Sequence, residues 1–211
     1  MKCYERMRAS ERKEAILGTV KDLCSKKGFA GTTLDEIAKK SGVSRALVVQ
    51  HFGSKEGLYE ALMEYLFCHH PMEEDPNFLK RFADLKDDKG VFLAYCEHVY
   101  DHMAIDPEKS PLRLVFFSML EKPDLYRKHF KTRKLKGIAV LEDYIKTRIA
   151  DGDFRPVNAT HLAQAFSALV TQLLFHGLIL RTFHNKEEFM VMMQSVVEVF
   201  LNGLMKKDEG G

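Results

Sequence analysis

Between Thr33 and Phe52 the chain carries two helix starts with a glycine turn between them, and few folds accommodate that spacing. Thr33-Leu34-Asp35-Glu36 reads as a capping box: the threonine hydroxyl accepts from the third helical amide and the glutamate returns to the threonine amide. Ile37 and Ala38 then face inward, Ser41-Gly42 stops the helix, Val43 turns back toward the core, and Ser44 caps a third helix of Arg45 to His51. Upstream, Ser10 to Lys27 places Ile16, Val20, Leu23 and Cys24 on one helical face and ends at Gly28. Val43, Val48 and Phe52 complete a small core. Ala38 lets two helices cross closely and Gly42 turns the chain between them, which is the requirement of a helix-turn-helix. Such a unit projects its second helix toward a DNA major groove about 12 Å wide.

The remainder reads as helical too, because apolar residues recur at three and four and no alternating run is bounded by hairpin turns. All six prolines lie at or beyond Pro71, so the first seventy residues can form an uninterrupted helical unit. The acidic, proline-bounded stretch His70-Pro71-Met72-Glu73-Glu74-Asp75-Pro76 is a connection. Helices follow over Val91 to Met103, before an Asp106 to Ser110 loop, then over Leu112 to Leu120, and as one long helix from Pro123 to Ala150 ended by Asp151-Gly152. Asn158 caps a helix of Ala159 to about Phe183, and Asn185 with Glu188 forms a capping box for the last. The expectation is an all-α protein of about nine helices. Residues 1–70 form a three-helix helix-turn-helix DNA-binding domain, and residues 71–211 a helical effector-binding and dimerisation domain.

Charge is divided in the same way. Residues 1–60 hold 12 Lys/Arg against 8 Asp/Glu, whereas the rest holds 20 against 22. The basic excess is too small to name nucleic acid by itself, so the motif carries that inference. The polar start, Met1 to Ser10, has no apolar signal core and no stretch is uninterruptedly apolar over about 18 residues, so the expected location is the cytoplasm with no membrane partner. Cys3, Cys24, Cys68 and Cys96 form no CxxC pair, which argues against a disulfide framework or a zinc knuckle.

The run Gly28-Phe29, Thr32-Thr33, Glu36-Ile37-Ala38, Ser41-Gly42-Val43-Ser44, His51-Phe52 and Ser54-Lys55-Glu56-Gly57-Leu58 resembles the tetracycline-repressor (TetR) family over about residues 10–60. The resemblance implies a non-enzymatic transcriptional regulator without a cofactor. It would act as a homodimer on a palindromic operator in double-stranded DNA, repressing until a small, largely apolar effector releases it. By match to the family motif, Arg45, Ala46, Leu47 and Gln50 would face base edges, with Arg45 suited to guanine, Gln50 to adenine and Leu47 to a thymine methyl. Thr33 and Lys55 would meet phosphates at helix starts, and Ser44 and His51 complete the expected DNA-binding set. The chain departs from the family at Leu47, where Thr is usual, and at Val49, where a phosphate-touching Tyr is usual.

Beyond residue 60 lie 13 of the 15 Phe and 8 of the 10 Met, a soft apolar volume that suits a ligand cavity as well as an ordinary core. Phe92, Tyr95, Val99, Met103, Phe116 and Phe166 are the expected effector-lining residues. Leu169, Leu173, Phe175 and Leu178, with Val196, Phe200 and Leu204, are expected to form a four-helix dimer interface through the last two helices. A competing reading is a helical metal- or apolar-ligand-binding protein or enzyme using His98 and His102, with His69, His70 and Cys68 as a further cluster. HisxxxHis without a third ligand is weak support for it, and no nucleophile with its base accompanies the pair. A cysteine redox sensor on the same scaffold is a minor alternative. Arg181 and Lys186 read as solvated charges, and Lys206 to Gly211 as a frayed tail.

Overall fold

The computed structural model describes residues 9–68, 77–104, 111–132 and 136–205, which are helical with no strand among them beyond an isolated bridge between Phe154 and Met205. The helices are α1 (Ala9–Lys27), α2 (Leu34–Ser41), α3 (Arg45–Phe52), α4 (Lys55–Cys68), α5 (Lys80–Asp84), α6 (Asp88–Met103), α7 (Pro111–Glu121), α8 (Pro123–Thr132), α9 (Lys136–Ala150), α10 (Ala159–Leu180) and α11 (Lys186–Leu204). The all-α expectation holds, with eleven helices among the described residues in place of about nine. Of the expected helix from Pro123 to Ala150, α8 and α9 are described, and residues 133–135 between them lie outside the described residues. α8 packs on α4 and α9 packs on α10. The Pro71–Pro76 connection, the 105–110 loop, Cys3, His69, His70, the Cys68 side chain and the terminal tail lie outside the described residues.

The chain divides into two compact units. One comprises Met1–His69 with Glu108–Arg133, the other His70–Pro107 with Lys134–Gly211, so α7 and α8 pack with α1 and α4 although they fall beyond residue 70. In the first unit Ile16, Val20, Cys24, Ile37, Val48, Leu58 and Leu62 are sealed from solvent, their periodicity having placed them on inward helix faces. Ser118 of α7 donates to the Leu114 carbonyl at 2.6 Å and approaches the Met63 sulfur at 3.5 Å, which satisfies a buried hydroxyl against α4.

In the second unit α6 packs on α11 and α10 on α9. Phe92 and Phe166 meet edge to face at 4.8 Å, with Phe200 5.4 Å from Phe92, in a close-packed aromatic cluster. A buried ion network joins α6 to α9. Arg148, 6% exposed, donates through Nε to Asp88 Oδ1 at 2.8 Å, through Nη2 to Asp88 Oδ2 at 3.0 Å, and through Nη1 to Asp153 at 2.5 Å. Tyr144 donates to the same Asp88 at 2.6 Å, and burial together with that carboxylate pushes its phenol above the ordinary range. Lys186, at the start of α11, is not simply solvated: it pairs with Glu97 at 2.7 Å and Asp101 at 2.8 Å of α6.

Candidate nucleic-acid interface

The two short helices meet as the local sequence requires. Thr33 accepts from the Glu36 amide at 3.2 Å, and Glu36 is held below the usual carboxylate range, chiefly by Lys27 and in part by the Thr33 amide. Gly42 takes the left-handed conformation at φ 67°, and the Val43 amide donates back to the Ala38 carbonyl at 3.0 Å. A side chain other than glycine would be strained at that φ. Ser44 then caps α3 by accepting from the Leu47 amide at 3.2 Å. Val48 and Phe52 anchor α3 in the core, while Val43 is half-buried.

This anchoring leaves one face of α3 open. Arg45, Ala46, Val49 and Gln50 are exposed, while Leu47 and His51 are half-buried at its edges. Val49, 39% exposed, shares the face with Arg45 and Gln50, one helical turn on from Arg45, and so adds an apolar side chain to the candidate surface. The Arg45 guanidinium lies 3.5 Å from the Asp35 carboxylate, with both side chains well exposed at 62% and 71%, a pair weak enough to be exchanged for another acceptor. Lys39 and Lys40 are exposed in the last turn of α2.

Of the expected phosphate contacts, Thr33 is exposed at the start of α2, but Lys55 is engaged within the protein. Its ammonium stands 4.5 Å above the Phe29 ring and 3.4 Å from the Ala30 carbonyl. Phe29 in turn packs on Tyr59 at 4.4 Å. The connection between α1 and α2 is held from a distant part of the sequence. Arg113 of α7 donates through Nε to the Ser25 carbonyl at 2.9 Å and through Nη2 to the Lys26 carbonyl at 3.2 Å. At the other end of α7 the Ala30 amide donates to Glu121 Oε2 at 2.9 Å. Neither residue carries a local motif, and their partners lie 87 to 91 positions away, so nothing in the sequence marks them.

The expected effector residues divide between the units. Phe92, Tyr95, Val99, Met103 and Phe166 are buried in the second unit, where Tyr95 donates to Ser167 at 2.8 Å. Phe116 is half-buried on α7 in the first. The aromatic rings of the second-unit set fill one another's space, and a cleft of about 370 Å³ in that unit is lined instead by more polar residues of α5 and α9, among them Lys80, Asp143, Tyr144 and Arg148. His98 stacks on Phe78 at 4.0 Å and meets His102 at 4.3 Å. Among the described residues no group of three His, Cys, Asp or Glu is arranged to hold a metal ion.

Comparison with known proteins adds to this geometry. Residues 16–62 match the family described as bacterial regulatory proteins, tetR family, and residues 91–203 match that described as AefR-like transcriptional repressor, C-terminal domain. Among curated relatives, the uncharacterized HTH-type transcriptional regulator YerO of Bacillus subtilis is 32% identical over 136 residues, 56% of this chain and 45% of that protein. The matched stretch thus spans under half of YerO. YvkB of the same organism, also described as an uncharacterized HTH-type transcriptional regulator, is 27% identical over 77% of this chain and 81% of its own. A solved TetR-family transcriptional regulator from Mesorhizobium loti superposes with a TM-score of 0.66 over 95% of this chain and 100% of its own; at 18% identity, this likeness shows the fold alone.

Proposed function

Because the chain belongs to the TetR family of bacterial transcriptional regulators, we propose that this DNA-binding regulator is a cytoplasmic repressor that grips a palindromic operator as a homodimer and releases it when a small, largely apolar effector binds. The observation that carries the DNA half is the face of α3: Arg45, Ala46, Val49 and Gln50 are open on one side of a helix whose other side is locked by Val48 and Phe52. On that reading Arg45 leaves Asp35 for a guanine edge, Gln50 pairs with adenine, and Leu47 and Val49 touch thymine methyls. Thr33, Ser44 and His51 approach the backbone, and Lys55 turns its ammonium from the Phe29 ring to a phosphate, contacts that fix register without reading sequence. Residues 1–70 form the DNA-binding domain and residues 71–211 the effector and dimerisation domain, with α7 and α8 packing back onto the former.

The last two helices support the dimer. α10 contains no Asp, Glu, Lys or Arg and is long and apolar enough, by length and composition alone, to cross a membrane, yet only a third of that stretch is buried. Leu169, Ile179 and Leu180 of α10 and Val191 and Val199 of α11 are exposed, the last four at 47%, 66%, 64% and 74%, and a second copy would cover them. On a palindromic site the two recognition helices of such a dimer would enter successive major grooves, roughly 34 to 36 Å apart. The effector would bind among Phe92, Tyr95, Val99, Met103 and Phe166 by parting their rings. It would favour a dimer of different helix separation, to an extent limited by its differential affinity for the two forms.

The test is selection of bound sequences from random duplex DNA, titration of the winner against scrambled DNA at fixed salt, and sedimentation of the free protein. A palindromic winner bound far more tightly than scrambled DNA, by a protein that sediments as a dimer, is expected. No enrichment would overturn the operator reading, and a monomer would overturn the interface.

A further inference from the structure

We infer that Arg113 and Glu121, at the two ends of α7, are positioning residues that hold the α1–α2 connection and thereby set the recognition helix in its DNA-binding attitude. The inference rests on the reading that α3 docks on DNA. A helix leaves its last carbonyls without intrahelical partners, and a cation there also meets the negative end of the helix dipole. In α1 two of those carbonyls, Ser25 and Lys26, receive both arms of the Arg113 guanidinium, at 2.9 and 3.2 Å. The backbone then turns through Gly28, at φ 76°, and the Ala30 amide donates to Glu121 at 2.9 Å. The carboxylate lies so close that a Cβ on Gly28 would stand 2.1 Å from its Oε1.

These two grips bracket the bend that aims α2. Downstream the path to α3 has little freedom, because Thr33 caps α2, the Gly42 turn is closed by the Val43 to Ala38 hydrogen bond, and Ser44 caps α3. The bend itself holds internal bonds, with the Thr32 hydroxyl donating to the Gly28 carbonyl at 2.8 Å, but those tie the bend to itself. From α4 the bend receives the long Lys55 contact to the Ala30 carbonyl and the packing of Phe29 on Tyr59, and from α7 it receives the shorter charged hydrogen bonds of Arg113 and Glu121. Loosening either would let α2 and α3 swing as a pair, with their own caps intact, out of register with the groove.

The experiment compares wild type, Glu121→Ala, Glu121→Gln, Arg113→Ala and Arg113→Lys on the duplex selected by wild type, well below each protein's melting temperature. Amide hydrogen exchange at Ala30 is followed in parallel. Glu121→Ala and Glu121→Gln remove the same charge, but only glutamine keeps an acceptor for the Ala30 amide. Glu121→Ala is therefore expected to bind roughly tenfold more weakly and to exchange at Ala30, whereas Glu121→Gln stays within about twofold with Ala30 protected. Arg113→Ala should lose affinity similarly, and Arg113→Lys, which reaches one carbonyl where the guanidinium reaches two, should lose less. If Arg113→Ala fails to fold, the lysine variant still decides its end of α7. Wild-type affinity in folded Glu121→Ala and Arg113→Lys would overturn the inference. Failure of wild type itself to select a duplex would overturn the DNA reading on which it stands.

Discussion

A single methyl group added at Gly177 sets two measurable effects against each other. Gly177 lies in the last turn of α10, and a Cβ there would stand 1.7 Å from Cε1 and 2.4 Å from both Cδ1 and Cζ of Phe183. Phe183 is 6% exposed and packs on Phe189 at 5.3 Å and Tyr100 at 6.2 Å, so displacing it breaks contacts that hold the α10–α11 corner to α6. Replacing a helical glycine by alanine gains about 0.5 to 1 kcal/mol of helix propensity. Overpacking a filled core costs about 1 to 3 kcal/mol. With Cβ contacts this short the overpacking cost falls in the upper part of its range and wins, so Gly177→Ala should destabilise by roughly 1 to 2.5 kcal/mol and lower the melting temperature by about 2 to 10 °C for a chain of this size. Thermal unfolding at one fixed protein concentration measures this, since a dimer makes melting concentration-dependent. Phe183→Ala alone should cost about 3 to 5 kcal/mol, but in that background the obstruction is gone and Gly177→Ala should become stabilising by about 0.5 to 1 kcal/mol. The reasoning is refuted if the substitution has the same sign in both backgrounds.

Three further outcomes are expected. Arg45→Ala should weaken binding to the selected duplex by about 1 to 3 kcal/mol and relax preference at one base pair, whereas Lys55→Ala should weaken all sequences alike and reduce the salt slope by about 1; equal loss on specific and random DNA for the Arg45 variant would remove its base-reading role. Arg148→Met should cost about 3 to 5 kcal/mol in denaturant unfolding, because it leaves the Asp88 carboxylate and the Tyr144 hydroxyl in a site built around the guanidinium, and a loss below about 1 kcal/mol would mean that water replaces it. Burial pushes the Cys24 thiol up to about 11 and Cys96 to about 12, so roughly one Cys24 in a thousand is thiolate at about pH 8 and neither should alkylate in the native protein. Both raised values favour the protonated folded state, so burial of these thiols carries no penalty below their ordinary pKa near 9 and costs stability as pH climbs above it. Native alkylation of either, followed by peptide mass spectrometry, would contradict that burial.

The parts of this protein that could be read in advance are those whose causes are local. Thr33, Gly42, Ser44, Asn158 and Asn185 each act on an amide or carbonyl within a few residues, and all five do in the structure what their neighbours imply. The exposed face of α3 followed from the same signals, because a helix capped at Ser44 with Val48 and Phe52 inward has only one side left for Arg45 and Gln50. What escaped depends on residues far apart in the chain. Periodicity runs unbroken from Pro123 toward Ala150, but a helical stripe does not say which helix it packs on, α4 for α8 and α10 for α9. The start of α4 places Lys55 locally, but the ring over which its ammonium stands lies 26 positions earlier, out of reach of any local signal. Phe92, Tyr95 and Phe166 were recognisable as a cluster, but whether aromatic residues line a cavity or fill it depends on ring-to-ring geometry that composition does not carry. Arg113 and Glu121 are the extreme case: two ordinary charges on a short apolar helix, set by the fold against backbone groups of the DNA-binding unit. The motif specifies how α2 and α3 meet, and α7 specifies where the pair is held, so a substitution that leaves every motif residue untouched can still cost the regulator its operator.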